Sequence, residues 1–206
     1  MPPTPAAAPL TTAPGAEEHF VTRASAFRGM LVALRNAGQF DAVYARVPPH
    51  VQKLMDHPPL GISWMPALPF QIVVVNLAAV AGREAVRAIG ENSVLHGPMK
   101  TMQPVIESML RLFGAEPAAF FKRLPSTMEG QLKGVEFEVR ETGPRSVEIT
   151  VTYSYLRHPP LESFVYWQGV FGITWRLCGC SGEATRPLIL DTPEGNRARI
   201  DIAWMK

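Results

Sequence analysis

The spacing of the hydrophobic residues changes along this chain, and this change limits the folds that the chain can adopt. From about residue 20 to about residue 123 the apolar side chains recur at helical spacing, whereas over residues 135–139 and 147–153 they alternate with polar ones. Alternation is typical of half-buried strands, and the turn at residues 141–145 joins two of them into a hairpin. A second hairpin is predicted around the turn at residues 193–196, and the segment 161–180 between the hairpins is helical in pattern.

This order of elements predicts the fold class. Helices followed by a hairpin, a helix and a second hairpin are typical of an α+β domain. We therefore predict N-terminal helices packed on one face of a four-stranded antiparallel sheet, with a helix between the two hairpins.

Proline and glycine divide the helical half. The spacing of Phe27, Met30, Leu31 and Leu34 predicts a helix that ends near Gly38. The other predicted helices are a stretch over residues 40–55 broken at 47–49, a buried helix over 68–89 closed by Gly90, a methionine-rich helix over 99–113 and a short helix over 117–124. The uncharged stretch at 65–82 contains two prolines and is shorter than the roughly 20 residues of a membrane span, so we expect none.

Composition limits the classes of function. The net charge is +2, with 20 basic and 18 acidic residues scattered along the chain, which argues against a nucleic-acid partner. The two cysteines, Cys178 and Cys180, are too few for a disulfide framework and fit a reducing, cytoplasmic setting; we expect buried thiols, with a redox pair or metal ligands as alternatives. Residues 1–18 are rich in Pro, Ala and Thr and resemble no signal peptide, so we predict a disordered tail followed by a single domain over residues 19–206.

Several segments carry a resemblance to known proteins. Residues 110–121, 138–153 and 153–161 resemble the superfamily of ligand-binding domains of nitric-oxide signalling and Golgi transport, which includes heme-nitric-oxide-binding domains, 4-vinyl-reductase-type domains and TRAPP subunits. Residues 169–204 are similar to the last helix and hairpin of the 4-vinyl-reductase type. The overall pattern also resembles an uncharacterised, largely myxobacterial family.

This resemblance implies a position for a ligand. Tyr153 and Arg157 match the Tyr-x-Ser-x-Arg turn with which heme-binding relatives hold propionates, but Tyr155 replaces the serine. Met128 stands where those relatives place the axial histidine, and the closing hairpin lacks the cysteines of the 4-vinyl-reductase type. We therefore expect no cofactor, with heme as an alternative that would need thioether ligation by Met128.

The predicted ligand site combines a cation with an apolar lining. Arg157 beside Tyr153 and Tyr155 can clamp a carboxylate or phosphate, since guanidinium binds such groups bidentately; the alternative is a surface arginine paired with Glu162. Adaptable apolar side chains fit a pocket, although they also fit an ordinary core. The predicted lining residues are Met102, Met109, Met128 and Phe121.

No catalytic site is predicted. His96 is the best acid–base candidate because Ser93 and Glu91 are near in sequence, but no Gly-x-Ser-x-Gly motif, metal-binding histidine pair or phosphate loop is present. We therefore predict a non-enzymatic sensory or adaptor domain that binds a small apolar or anionic ligand and signals to a partner protein. The alternatives are a protein-interaction module, as a homodimer or scaffold, and a diverged heme-based gas sensor.

Overall fold

The computed structural model describes residues 18–97 and 116–205, and these form helices packed beside antiparallel sheets. Residues 1–17 of the predicted tail and the methionine-rich segment with Met102 and Met109 lie outside the described residues, so the predicted domain division stays a prediction. The helices are α1 (Ala24–Asn36), α2 (Phe40–Tyr44), α3 (Pro49–Asp56), α4 (Leu68–His96), α5 (Pro117–Glu129) and α6 (Leu161–Cys178).

The strands form two antiparallel sheets. They are β1 (Val21–Arg23), β2 (Trp64–Pro66), β3 (Leu132–Lys133), β4 (Val135–Gly143), β5 (Ser146–Tyr153), β6 (Ser181–Ala184), β7 (Leu188–Ile189) and β8 (Arg197–Met205). A five-stranded sheet has the order β4-β5-β8-β6, with β7 also paired to β8, and a small sheet has the order β2-β1-β3. The α+β class and both predicted hairpins are confirmed. The structure adds β6 to the predicted four strands and adds the small sheet.

The packing of the layers follows from the alternation of buried and exposed residues along the strands. Ile149, Val151, Ile200 and Ile202 are buried on one face of the larger sheet, which helices α5 and α6 cover. Helix α6 packs in turn against α4, and α1 also packs on α4. The core therefore runs from the sheet through α6 to the N-terminal helices, so that α6 touches both halves of the fold. Among the described residues, no helix is long and apolar enough to cross a membrane.

Two predicted helix ends are wrong. Helix α4 continues past Gly90 to His96, because Gly90 does not end the helix but allows a close approach: a Cβ there would overlap the carbonyl oxygen of Tyr166 on α6. The interruption in α4 lies instead at Gly82, whose φ of 82° is open mainly to glycine. Helix α5 continues through Pro125 to Glu129, so that Met128 lies in its last turn and not after it.

Candidate ligand-binding site

The turn that follows β5 is held by hydrogen bonds to the neighbouring turn at residues 194–196. The Tyr153 amide donates to the Asn196 carbonyl (3.0 Å), and the Asn196 side chain donates back to the Tyr153 carbonyl (2.8 Å). The His158 amide donates to the carbonyl of Glu194 (3.0 Å) in the same neighbouring turn. His158 itself has a φ of 48°, a left-handed conformation that is unusual for a non-glycine residue. The turn therefore has a defined shape that the β7–β8 connection stabilises.

Tyr153 is enclosed by protein. Its side chain is fully buried, and its ring packs against those of Phe20 and Phe164. Its hydroxyl accepts a hydrogen bond from the Trp167 indole nitrogen (2.9 Å) and donates to the Ser163 carbonyl at 3.5 Å. Burial raises the pKa of the Tyr153 phenol well above its usual range, because a phenolate would lose its hydration there. Tyr153 is thus a neutral side chain whose polar atom already has protein partners.

Tyr155 and Arg157 lie outside this enclosure. The Tyr155 ring is half-buried and stacks on the His19 imidazole, with ring centroids 5.6 Å apart. Arg157 is exposed, and no carboxylate pairs with it in the described part of the chain. Glu162, the surface partner in the alternative interpretation, instead accepts a hydrogen bond from Arg83 Nε at 2.9 Å. The alternative pairing of Arg157 with Glu162 is therefore not formed, and the guanidinium remains available to an anion from solvent.

Phe121 and Met128 share helix α5. Phe121 is fully buried, with its ring against those of Phe171, Trp175 and Trp204. Met128, seven residues further on, is half-buried and packs against the same core. Met102 and Met109 belong to the segment outside the described residues. The structure thus places two of the predicted lining residues on one helix beside the sheet, and their role in ligand binding stays a prediction.

A set of buried polar side chains links helices and sheet, and sequence reasoning missed it. Ser163 on α6 donates to the Gln71 side-chain oxygen on α4 (2.6 Å), and the hydroxyls of Ser93 and Tyr166 hydrogen-bond between the same two helices. Trp167 on α6 bonds Tyr153 on β5. The available signal was the polar residues within the otherwise apolar segments 68–77 and 163–174. Buried polar groups of this kind require partners.

The acid–base candidate near His96 does not form a triad. Ser93 is buried and donates to the Gly90 carbonyl (2.9 Å), while the Nε2 atom of His96 lies 3.3 Å from the side-chain nitrogen of Asn36. His96 is exposed at the end of α4. The Ser93 hydroxyl and the His96 imidazole therefore have different hydrogen-bond partners and do not form a catalytic pair, although they are close in sequence.

The grouping of side chains in the described residues does not indicate a metal site. Within residues 18–97 and 116–205 no cluster of three or more His, Cys, Asp or Glu side chains could hold a metal ion. Cys178 and Cys180 are half-buried free thiols, and burial, with a smaller effect from Cys180, raises the pKa of Cys178 to about 11. Cys178 is therefore a protonated thiol at neutral pH.

The fold is similar to solved H-NOX (heme-nitric-oxide-binding) domains. An Fe(II) unliganded H-NOX protein from K. algicida superposes with a TM-score of 0.64 at 12% identity, over 89% of this chain and 97% of that one. An oxygen-binding H-NOX domain related to soluble guanylate cyclases superposes with a TM-score of 0.62 at 8% identity, over 89% and 95%. No protein-family model and no curated protein matches the sequence.

The chain therefore has the H-NOX fold, which confirms that part of the resemblance. Identities this low establish the fold alone. The resemblance to 4-vinyl-reductase-type domains, TRAPP subunits and the myxobacterial family stays a prediction.

Proposed function

We propose that this chain is a diverged sensory domain of the H-NOX type, which reports the binding of a small ligand to a partner protein. The observation that carries the proposal is the likeness to H-NOX structures over 89% of the chain. The names of these neighbours refer to an oxygen complex and to heme redox potential. This likeness favours the heme-sensor alternative over an unspecified ligand, so that heme is the ligand to test first.

Heme would supply an iron centre that binds diatomic gases, and it needs a protein ligand to the iron. The five histidines are His19, His50, His57, His96 and His158; all lie in the described residues and all are exposed. Histidine ligation therefore does not fit this chain. The side chain that we propose as a ligand is Met128, because it is half-buried on α5 and a thioether is an accepted heme ligand.

The buried polar bonds suggest how a signal would travel. Ser163, Tyr166 and Trp167 on α6 bond α4 on one side and β5 on the other. Leaving one of these buried groups without its partner costs about 1–3 kcal/mol, so the connected elements resist moving independently. A ligand that binds one arrangement of α6 more tightly would shift the population of the whole unit.

A heme titration of the full chain tests this proposal. We expect a Soret band that saturates at one heme per chain. Met128→Ala should weaken binding at least tenfold, whereas the exposed Met205, which is 66% accessible, provides the matched control Met205→Ala and should leave it unchanged. Arg157→Ala should weaken binding of a heme carrying free propionates more than that of its dimethyl ester. A protein that takes up no heme contradicts the heme proposal.

A protein-interaction module without a ligand is the second candidate. Two observations favour it: the Tyr153 hydroxyl is satisfied by Trp167 and Ser163, and Arg157 is exposed. Such a module would self-associate or bind its partner without a retained ligand. Sedimentation equilibrium of wild type and Arg157→Glu tests this: a concentration-dependent dimer with no bound mass supports the module, and a monomer that shows a ligand-dependent thermal shift supports the sensor.

A further inference from the structure

The loop between α3 and β2 exposes two aliphatic side chains. Leu60 is 74% exposed and Ile62 is 79% exposed, more than any other large hydrophobic side chain in the described residues. The next in order, Met205 and Leu188, are 66% and 52% exposed. Isolated surface hydrophobics are ordinary, but Leu60 and Ile62 lie two residues apart at the tip of one loop.

The loop backbone is held in place by hydrogen bonds. The Ser63 amide donates to the Leu60 carbonyl (2.8 Å), and the Ser25 amide on α1 donates to the Gly61 carbonyl (3.0 Å). Arg23 Nη1 donates to the Ile62 carbonyl at 2.6 Å. Because three successive carbonyls have partners, the aliphatic side chains are presented by a defined turn and are not exposed through a loosely held segment.

Unpaired cations surround this tip. Arg28 Nη1 donates to the Pro58 carbonyl (3.1 Å), and the Arg23 guanidinium lies 4.0 Å from the centre of the Trp64 ring. The Lys133 ammonium lies 5.1 Å from the same ring. Within the described ranges, none of these three cations forms a salt bridge, unlike Arg83, Arg140 and Arg197, which pair with Glu162, Glu148 and Glu138. The tip thus combines apolar side chains with uncompensated positive charge.

We infer that this tip, formed by Leu60 and Ile62 with Arg23, Arg28 and Lys133, docks on an anionic lipid surface. The aliphatic side chains would enter the boundary between headgroups and acyl chains, and the cations would lie at the level of the phosphates. The half-buried Trp64 between the cations suits the same interfacial depth. This inference is independent of the proposed sensory function.

The size of the tip favours a membrane over an acidic protein partner. A stable protein interface buries roughly 800 Å² on each partner, which two aliphatic side chains and their rim do not supply. Membrane docking needs no such area, because apolar insertion and electrostatic attraction add without a matching surface. The acidic residues nearest to the tip along the chain are Glu136, which accepts a hydrogen bond from the Ser154 hydroxyl at 2.7 Å, Asp56, which accepts one from the Tyr44 hydroxyl at 2.7 Å, and Glu129.

Vesicle flotation of the full chain tests the inference. We expect binding to vesicles of phosphatidylcholine with about one third phosphatidylserine, weaker binding to phosphatidylcholine alone, and a decline as salt shortens the screening length from about 10 Å at 0.1 M to about 3 Å at 1 M. The double variant Leu60→Ser/Ile62→Ser should bind at least tenfold more weakly, since each aliphatic side chain contributes about that factor when buried. Lys133→Gln should cost about fivefold.

The exposed pair Leu188 and Ile189 provides the matched control. It has the same chemistry, but the neighbouring Arg199 lies within salt-bridge distance of Glu148 and Asp201. Leu188→Ser/Ile189→Ser should therefore leave vesicle binding unchanged, and circular dichroism should confirm that both double variants are folded. The inference is overturned if the chain binds neither vesicle, if both double variants lose binding equally, or if an acidic peptide binds through Leu60 and Ile62 while phosphatidylserine vesicles do not.

Discussion

The contact between α4 and α6 allows a sharp test of the packing. Gly169 on α6 lies against the backbone of α4, so that a Cβ built there would overlap the Arg87 carbonyl oxygen and lie 2.8 Å from the carbonyl carbon. At Gly172, three residues further along the same helix, the nearest atom to an added Cβ is the Glu91 Cδ at 3.7 Å. The same substitution, glycine to alanine, therefore meets a rigid backbone at one position and ordinary contact distance at the other.

The two substitutions should change the free energy of unfolding in opposite directions. Overpacking costs up to about 3 kcal/mol, whereas alanine gains about 1 kcal/mol over glycine inside a helix. Gly169→Ala should therefore lower the free energy of unfolding by about 2 kcal/mol, because neither backbone can move aside alone. Gly172→Ala should raise it by up to about 1 kcal/mol. At roughly 2–4 °C per kcal/mol for a domain of this size, the two melting temperatures should differ by about 6–12 °C.

Denaturant unfolding followed by circular dichroism and by Trp fluorescence measures both variants. The two probes should give coincident transitions with unchanged m-values, so that the shift in midpoint reports stability. Equal stability of Gly169→Ala and Gly172→Ala would contradict this prediction, since it would mean that α4 and α6 are not in backbone contact at Arg87.

Other predictions concern the buried polar bonds, the sheet surface and the thiols. Tyr153→Phe leaves the Trp167 indole N–H without its acceptor and should cost about 1–3 kcal/mol in urea unfolding; an unchanged midpoint would contradict the assigned bond. The hydrogen bond from Arg140 lowers the pKa of Glu148, so the ionised Glu148 should stabilise the fold at neutral pH, and this stabilisation should decline as the pH falls through the lowered folded-state pKa. The difference in unfolding free energy between wild type and Glu148→Gln should therefore shrink in acid, and a difference that stays constant with pH would contradict the prediction. Because burial raises the pKa of Cys178 to about 11, its alkylation at pH 8 should be much slower in the native state than after unfolding; equal rates would contradict its burial.

The larger sheet was predictable because its signals are local. In β4 and β5 the apolar residues alternate over a long run, and a short turn joins the strands, so that pairing follows from neighbouring sequence. The small sheet could not be predicted in the same way. Its strands are two or three residues long, and Thr22 pairs with Met65 and with Leu132, positions separated by large stretches of chain.

Glycine at a helix crossing shows why some boundaries were wrong. Gly90 has the same local signal as a helix end, yet its role is set by the Tyr166 carbonyl of another helix. The same holds for the candidate site. That Tyr153 begins a recognisable turn was evident from the sequence, but its burial and its bond to Trp167 depend on how α6 packs on β5. That Glu162 pairs with Arg83 and not with Arg157 likewise depends on tertiary packing.

Native mass spectrometry of the full chain, produced in cells supplied with a heme precursor, tests the sensor proposal most directly. We expect a folded protein that retains one non-covalent ligand per chain, with the mass of heme and with ligand loss in Met128→Ala but not in Met205→Ala. A folded protein that carries no added mass, and gains none when heme is supplied, would contradict the sensor proposal and leave the interaction module.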